Sequence, residues 1–170
     1  MTGDRLQRWM VLCVLLLLPA ACRDGGGDDT TDTDPHPGGD ADADDPYSAA
    51  RQDCVDRINE YRASEGLPAY DRWTEAEDCA DSQAEQDAAS NTAHGAFGQC
   101  DEWAQNECPG FGSVDQVIDR CLQMMWDEGP GDDFNTHGHY INMTNPDYTQ
   151  AACGFYTTSS GDVWAVQDFR

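Results

Sequence analysis

The chain has 170 residues, of which 33 are acidic and nine basic, giving a formal charge of −24 with no lysine at all. That balance excludes nucleic acid or an anionic membrane bound through a basic face, because such binding needs clustered positive charge. Eight cysteines in so short a chain direct attention to an oxidising compartment.

The first residues, MTGDRLQRWMVLCVLLLLPAAC, set Arg5 and Arg8 ahead of an apolar run over 9–18 and then small residues. This is the three-part pattern of an export signal. A membrane-spanning helix needs roughly 20 apolar residues, about twice what stands before Pro19, so cleavage is expected. Ala20, Ala21 and Cys22 resemble the lipobox of bacterial lipoproteins, with Pro19 where a large aliphatic residue is usual. The resemblance implies a signal over 1–21, a diacylglycerol on Cys22, and a protein exported to the cell envelope and anchored to a bacterial membrane. Without that lipid the product is secreted.

Residues 22–46 follow as an acidic segment with nine Asp and no large apolar side chain. Such a segment cannot bury enough surface to offset its ordering entropy, which predicts a disordered tether. His36 lies within it. Residues 47–170 are one domain's worth of chain. They contain Cys54, Cys79, Cys100, Cys108, Cys121 and Cys153, and an even number of cysteines in an exported domain predicts three disulfides. Six cysteines allow 15 pairings; closeness favours only Cys100 with Cys108.

Apolar positions at helical spacing, Ala50, Cys54, Val55, Ile58 and Tyr61, predict a first helix over 47–65, ended by Gly66 and Pro68. A second begins at Thr74, where Glu77 has capping-box spacing, and presents the small face Cys79, Ala80, Ala84 and Ala88. The segment HGAFGQCDEWAQNECPGFG reads as a long loop. Ser113 with Gln116 predicts the cap of a third helix, which stops at Gly129 and Pro130. Three short strands then follow, over 139–144, 151–157 and 162–169. The last is apolar on both faces, so helices are expected on both sides of the sheet.

This order of elements, with INEYRASEGLPAY, AHG, MWDE and GHY along it, resembles the CAP superfamily: cysteine-rich secretory proteins, antigen 5 and pathogenesis-related 1 proteins, with bacterial SCP-like extracellular members. The resemblance implies an α+β fold, a three-layer α-β-α sandwich with a small antiparallel sheet between helices. It also implies a cleft of two histidines and two acids. His94 and His139 match the histidines, and Glu128 matches one acid, with Met125 where a tryptophan is usual. Gln105 stands where the second acid belongs; Glu107 is the nearest carboxylate, two residues on. Asn59 and Arg62 match a pair in the opening helix.

For the cleft residues His94, Gln105, Glu128 and His139 three functions follow. The first is a non-enzymatic binding module for a lipid, sterol, glycan or protein ligand, with zinc or another divalent cation on His94 and His139. The second is a metal-dependent hydrolase with Glu128 as general base. The third is a structural or adhesive envelope protein. Gln105 accepts and donates hydrogen bonds but cannot serve as a base, which weighs against the hydrolase. GxSxG and HExxH are absent. His137 reads as pointing elsewhere, Asn142 as a coincidental glycosylation sequon, and Trp103, Phe111, Trp126, Tyr140 and Tyr148 as core or groove aromatics.

Overall fold

A computed structural model describes residues 45–170; the signal, Cys22, His36 and most of the tether lie outside the described residues. The domain is built from α1 (Ser48–Ser64), β1 (Asp71–Arg72), α2 (Glu77–Ser90) and β2 (Ala104–Phe111). Then come α3 (Val114–Gln116), a π-turn (Val117–Cys121), α4 (Leu122–Trp126), α5 (Phe134–Thr144), β3 (Gln150–Thr157) and β4 (Val163–Phe169). The strands form one sheet in the order β1-β3-β4-β2. The three long strands are antiparallel, and the two-residue β1 joins parallel to β3.

All seven residues of β4 are buried, as expected of a strand covered on both faces. On one face Trp164 and Val166 pack against Ala80 and Ala84 of α2. On the other, Val163, Ala165 and Phe169 share a core with Cys54, Val55 and Ile58 of α1, Leu122 and Met125 of α4, and Met143 of α5. The small face of α2 permits a close approach: a Cβ at Gly154 of β3 would lie 2.2 Å from the Ala80 carbonyl carbon.

α1 ends as its sequence predicts. Gly66 takes φ +71°, and its N–H reaches Ala63 O while that of Leu67 reaches Arg62 O, the paired bonds of a glycine C-cap. The Asn59 amide brackets Tyr70 through both its N–H and its C=O. Arg62, fully buried, lies over the Tyr70 ring and donates to Pro68 O, Met143 O and Asn145 O. These two residues tie the first helix to the end of α5, and so to the element that carries His139.

Several expectations are corrected. Residues 139–144 are not a strand but the second half of α5: Asp133 caps the helix by accepting from Asn135 N, and Tyr140 and Met143, three apart, turn inward. The segment read as one long loop contains the edge strand β2, whose ladder is supplied by β4. At Thr74 a 3-10 turn precedes α2 and no side chain caps it. Glu77 instead takes two bonds from Arg72, at 2.5 and 2.9 Å. Ser113 does cap, accepting from Gln116 N.

The six cysteines pair as Cys54–Cys153, Cys79–Cys100 and Cys108–Cys121. Cys100 and Cys108 do not meet, because an extended strand at about 3.3 Å per residue carries Cys108 away from the loop and toward the π-turn.

Candidate functional site

His94 follows α2 in a turn where it adopts φ +59°, a left-handed conformation uncommon for a residue with a side chain. Two carboxylates hold that turn. Glu107 accepts from His94 N, and Asp87 accepts from Ala96 N at 2.8 Å. Glu107 and Gln105 lie two apart on β2 and so share a face, which brings Glu107 under His94, with 3.7 Å between the His94 Nδ1 and the carboxylate. The acid two residues beyond the expected place therefore does reach the first histidine.

Gln105 is fixed from both ends. Its Nε2 donates to Gln83 Oε1 and to Asp168 Oδ1, each at 3.0 Å. Both partners are acceptors there, so the amide orientation is determined and Oε1 faces His94 Nδ1 at 3.0 Å. An oxygen that can only accept requires Nδ1–H on His94. Across the cleft, the Glu128 carboxylate accepts from His139 Nδ1 at 2.5 Å and from His139 N at 3.0 Å. The neutral tautomer of His139 is thus also Nδ1–H. Among the described residues neither Nε2 has a hydrogen-bond partner, and each ring is left with a lone pair to offer.

Behind the histidines lies a buried carboxyl network. Burial pushes Glu107 and Asp168 each up to about 7, and raises Asp87 as well. Glu107 and Asp87 each spend one oxygen on the His94 turn, accepting from His94 N and from Ala96 N. Among the described residues their remaining oxygens, Glu107 Oε1 and Asp87 Oδ2, have no hydrogen-bond partner, nor does Asp168 Oδ2; an unpaired carboxyl costs less to bury protonated than ionised. Cys100, Glu102 and Asp168 come within 4.8 Å of one another. The sulfur there belongs to the Cys79–Cys100 bridge and offers no thiolate.

The four predicted residues, His94, Gln105, Glu128 and His139, line one cleft of about 260 Å³ with Phe134, Asn135, Gly138 and Asn142. A second chamber of about 270 Å³ shares His94, Gln105, Phe134 and Asn142, and adds Phe97, Trp103, Ala104 and Tyr148. Gly138 has a local purpose: a Cβ there would stand 3.2 Å from the Phe134 ring one turn back, which lies over it. His137 faces away, its Nδ1 2.7 Å from Glu128 O and 3.0 Å from Gly129 O. Trp126 and Tyr140 pack on each other rather than lining the cleft, with ring centroids 4.6 Å apart.

Sequence reasoning missed Phe97, Phe134 and Asn135, and read Asn142 only as a sequon. It also missed Gln83, Asp87 and Asp168, whose role depends on contacts between distant segments. The helical spacing of Phe134, Gly138 and Asn142, four apart, was the available signal, hidden by assigning 139–144 to a strand.

No curated protein sequence matches the chain significantly. Solved structures do resemble the domain. An outer surface protein from Borrelia burgdorferi aligns over 73% of this chain and 94% of its own, at 16% identity and a TM-score of 0.50. Schistosoma mansoni venom allergen-like protein 4 aligns over 71% and 86%, at 12% identity and 0.50. NaASP2, solved with Zn2+, aligns over 71% and 78%, at 15% identity and 0.55. At such identities these likenesses establish the fold. The sequence profile of the cysteine-rich secretory protein family matches residues 55–169, most of the described domain. The chain belongs to the cysteine-rich secretory protein, or CAP, family.

Proposed function

We propose that this protein is an exported binding module, lipid-anchored at Cys22 and held off the membrane by its acidic tether, whose His94/His139 cleft takes a divalent cation and a small ligand. One observation carries the reading: both imidazoles have Nδ1 tied to an oriented acceptor and Nε2 without a partner among the described residues, on the walls of one cleft. That is how metal-binding histidines are ordinarily prepared, since the hydrogen bond at one nitrogen orients the other and raises its basicity. His94 and His139 would hold the ion, with Glu128 and Gln105 as the supports behind them. A borderline cation such as zinc suits two imidazoles, and NaASP2, of the same fold, has been solved with Zn2+. Two protein ligands leave positions for a ligand's own donor group.

A binding role is favoured over hydrolysis. Glu128 has both oxygens engaged by His139, so it acts as a support rather than a poised base, and Gln105 has no titratable group. Among the described residues no helix is long and apolar enough to cross a membrane.

Calorimetric titration of tag-free protein with zinc tests the cleft. Wild type is expected to bind one ion, and His94→Ala and His139→Ala each to weaken binding at least about tenfold, the scale of losing a metal ligand or its support. Absence of binding near neutral pH, or binding unaffected by either change, would sink the metal and favour a purely structural envelope role. Replacing Cys22 with Ser is expected to move the protein from the detergent phase to the aqueous phase; unchanged partitioning refutes the anchor.

A further inference from the structure

The polar chamber offers one kind of group. His94 and His139 spend their Nδ1–H on Gln105 and Glu128 and keep the Nε2 lone pairs. Asn142 spends its Nδ2 on Gln105 O, at 3.3 Å, and on Asn106 Oδ1, at 2.9 Å, which leaves its Oδ1. Asn135, at the rim, gives one of its two amide hydrogens to Asp133 and keeps the other beside its Oδ1. The Gln105 amide is used at both ends. What His94, His139 and Asn142 still have to give, among the described residues, is three acceptors and no donor.

The adjoining chamber offers aromatic faces. Phe97, Trp103 and Phe134 are 49%, 61% and 60% exposed, unusual for three large apolar side chains lining one concavity. Trp103 is braced edge-on against Tyr148, with centroids 6.2 Å apart. Tyr148 in turn stacks on Phe169, a buried core residue, so the platform is fixed. A metal ion alone would use the polar chamber and leave these faces unaccounted for.

The complement of three acceptors with no donor among them is a donor-only group. Ammonium and guanidinium are both donor-only, and the ammonium, with three N–H donors, matches the three acceptors in number. Aromatic faces attract a cation as well as an apolar body, and a protein of charge −24 repels an anionic ligand. We infer that the joined chambers bind a small primary amine, its ammonium on the acceptors of His94, His139 and Asn142 and its apolar body against Trp103 and Phe134. This rests on the cleft assigned above but not on the metal. Amine and divalent ion claim the same Nε2 lone pairs and therefore exclude each other.

The test is calorimetric titration of the full chain, in chelator at pH 7, with 2-phenylethylamine, 2-phenylethanol and 3-phenylpropionate. These probes share a ring and differ in carrying a cation, a neutral donor-acceptor or an anion. The amine is expected to bind at least about tenfold tighter than the alcohol, the sum of a charged hydrogen bond and a cation–π contact, and the carboxylate not to bind. Trp103→Ala, at an exposed position, is expected to weaken the amine about fivefold and leave zinc binding unchanged; zinc added without chelator is expected to displace the amine. Equal binding of alcohol or carboxylate, or an amine affinity indifferent to Trp103→Ala, overturns the inference. Zinc binding with no amine binding overturns it while sparing the metal reading; amine binding without zinc does the reverse.

Discussion

Asp168 stands directly across the ladder from Gln105, and it is the residue on which the orientation of that amide turns. Fully buried, it accepts from Gln105 Nε2 and has one oxygen with no partner among the described residues. Burial, with Glu102, Asp87 and Glu107 nearby, raises it to about 7 against about 3.9 in an unfolded chain. A carboxyl raised on folding binds its proton more tightly in the folded state. Its contribution to stability is therefore complete at acid pH and is lost as the pH climbs through about 7. Glu107, also near 7 from burial, acts in the same direction. Between pH 5 and pH 8 the loss from Asp168 alone is on the order of 2 kcal/mol. Asp168→Asn imitates the protonated acid at every pH: an amide oxygen for Gln105 and a donor in place of the orphan. Thermal melts at pH 5 and pH 8 should show wild type losing several degrees more than Asp168→Asn on going to the higher pH. Equal losses would mean that Asp168 is ionised in the folded protein.

At the scale of elements, what was legible in the sequence divides along chemistry. α1, α2 and β4 were readable because their buried positions are apolar or small: Val55 and Ile58, Ala80 and Ala84, Val163 to Val166. β2 and α5 were not, for one shared physical reason. Their inward positions carry the cleft and its supports, Gln105, Asn106 and Glu107 on the strand and Asn142 on the helix, and buried polar residues erase the apolar periodicity that marks an element. His94, His139 and Glu128 were found only through short motifs, and the pairing of cysteines followed from the same misread strand. The close contact of α2 with β3 gives this scale its prediction. Gly154 faces Ala80 C at 2.2 Å and Asp81 N at 2.5 Å, counted from where a Cβ would stand. These are backbone atoms of a helix packed on the sheet and cannot step aside as a side chain can. Gly154→Ala is expected to cost at least about 1–3 kcal/mol, the range of an overpacked core, read as a lower urea midpoint. A change within error would mean that α2 can lift from β3 freely.

Over the whole molecule the three disulfides divide labour between stability and the cleft. Cys54–Cys153 joins α1 to β3 across 99 residues of chain. Cys79–Cys100 closes a segment of 21 that contains the His94 turn, and Cys108–Cys121 closes 13 between β2 and the helical run leading to Glu128. In the chain-entropy account a bridge stabilises by restricting the unfolded state, by about 4.7 kcal/mol for a loop of roughly 100 residues and about 3 kcal/mol for roughly 15. The long bridge should therefore matter most for stability, and it lies in the core shared by α1, away from the cleft lining. Between the ends of the Cys79–Cys100 loop, by contrast, Gly98 N and Cys100 N both donate to Glu102, which also holds Gln83, and Gln83 holds Gln105. Opening that bridge loosens the support of His94 from two sides. Two orderings are expected from the double alanine variants. By denaturant midpoint, Cys54→Ala/Cys153→Ala falls furthest; by zinc affinity measured where each variant is folded, Cys79→Ala/Cys100→Ala falls furthest, and the first variant is close to wild type. If the two measurements ranked the variants alike, the cleft would be a passive consequence of global stability, and the separate support of His94 would have no energetic meaning.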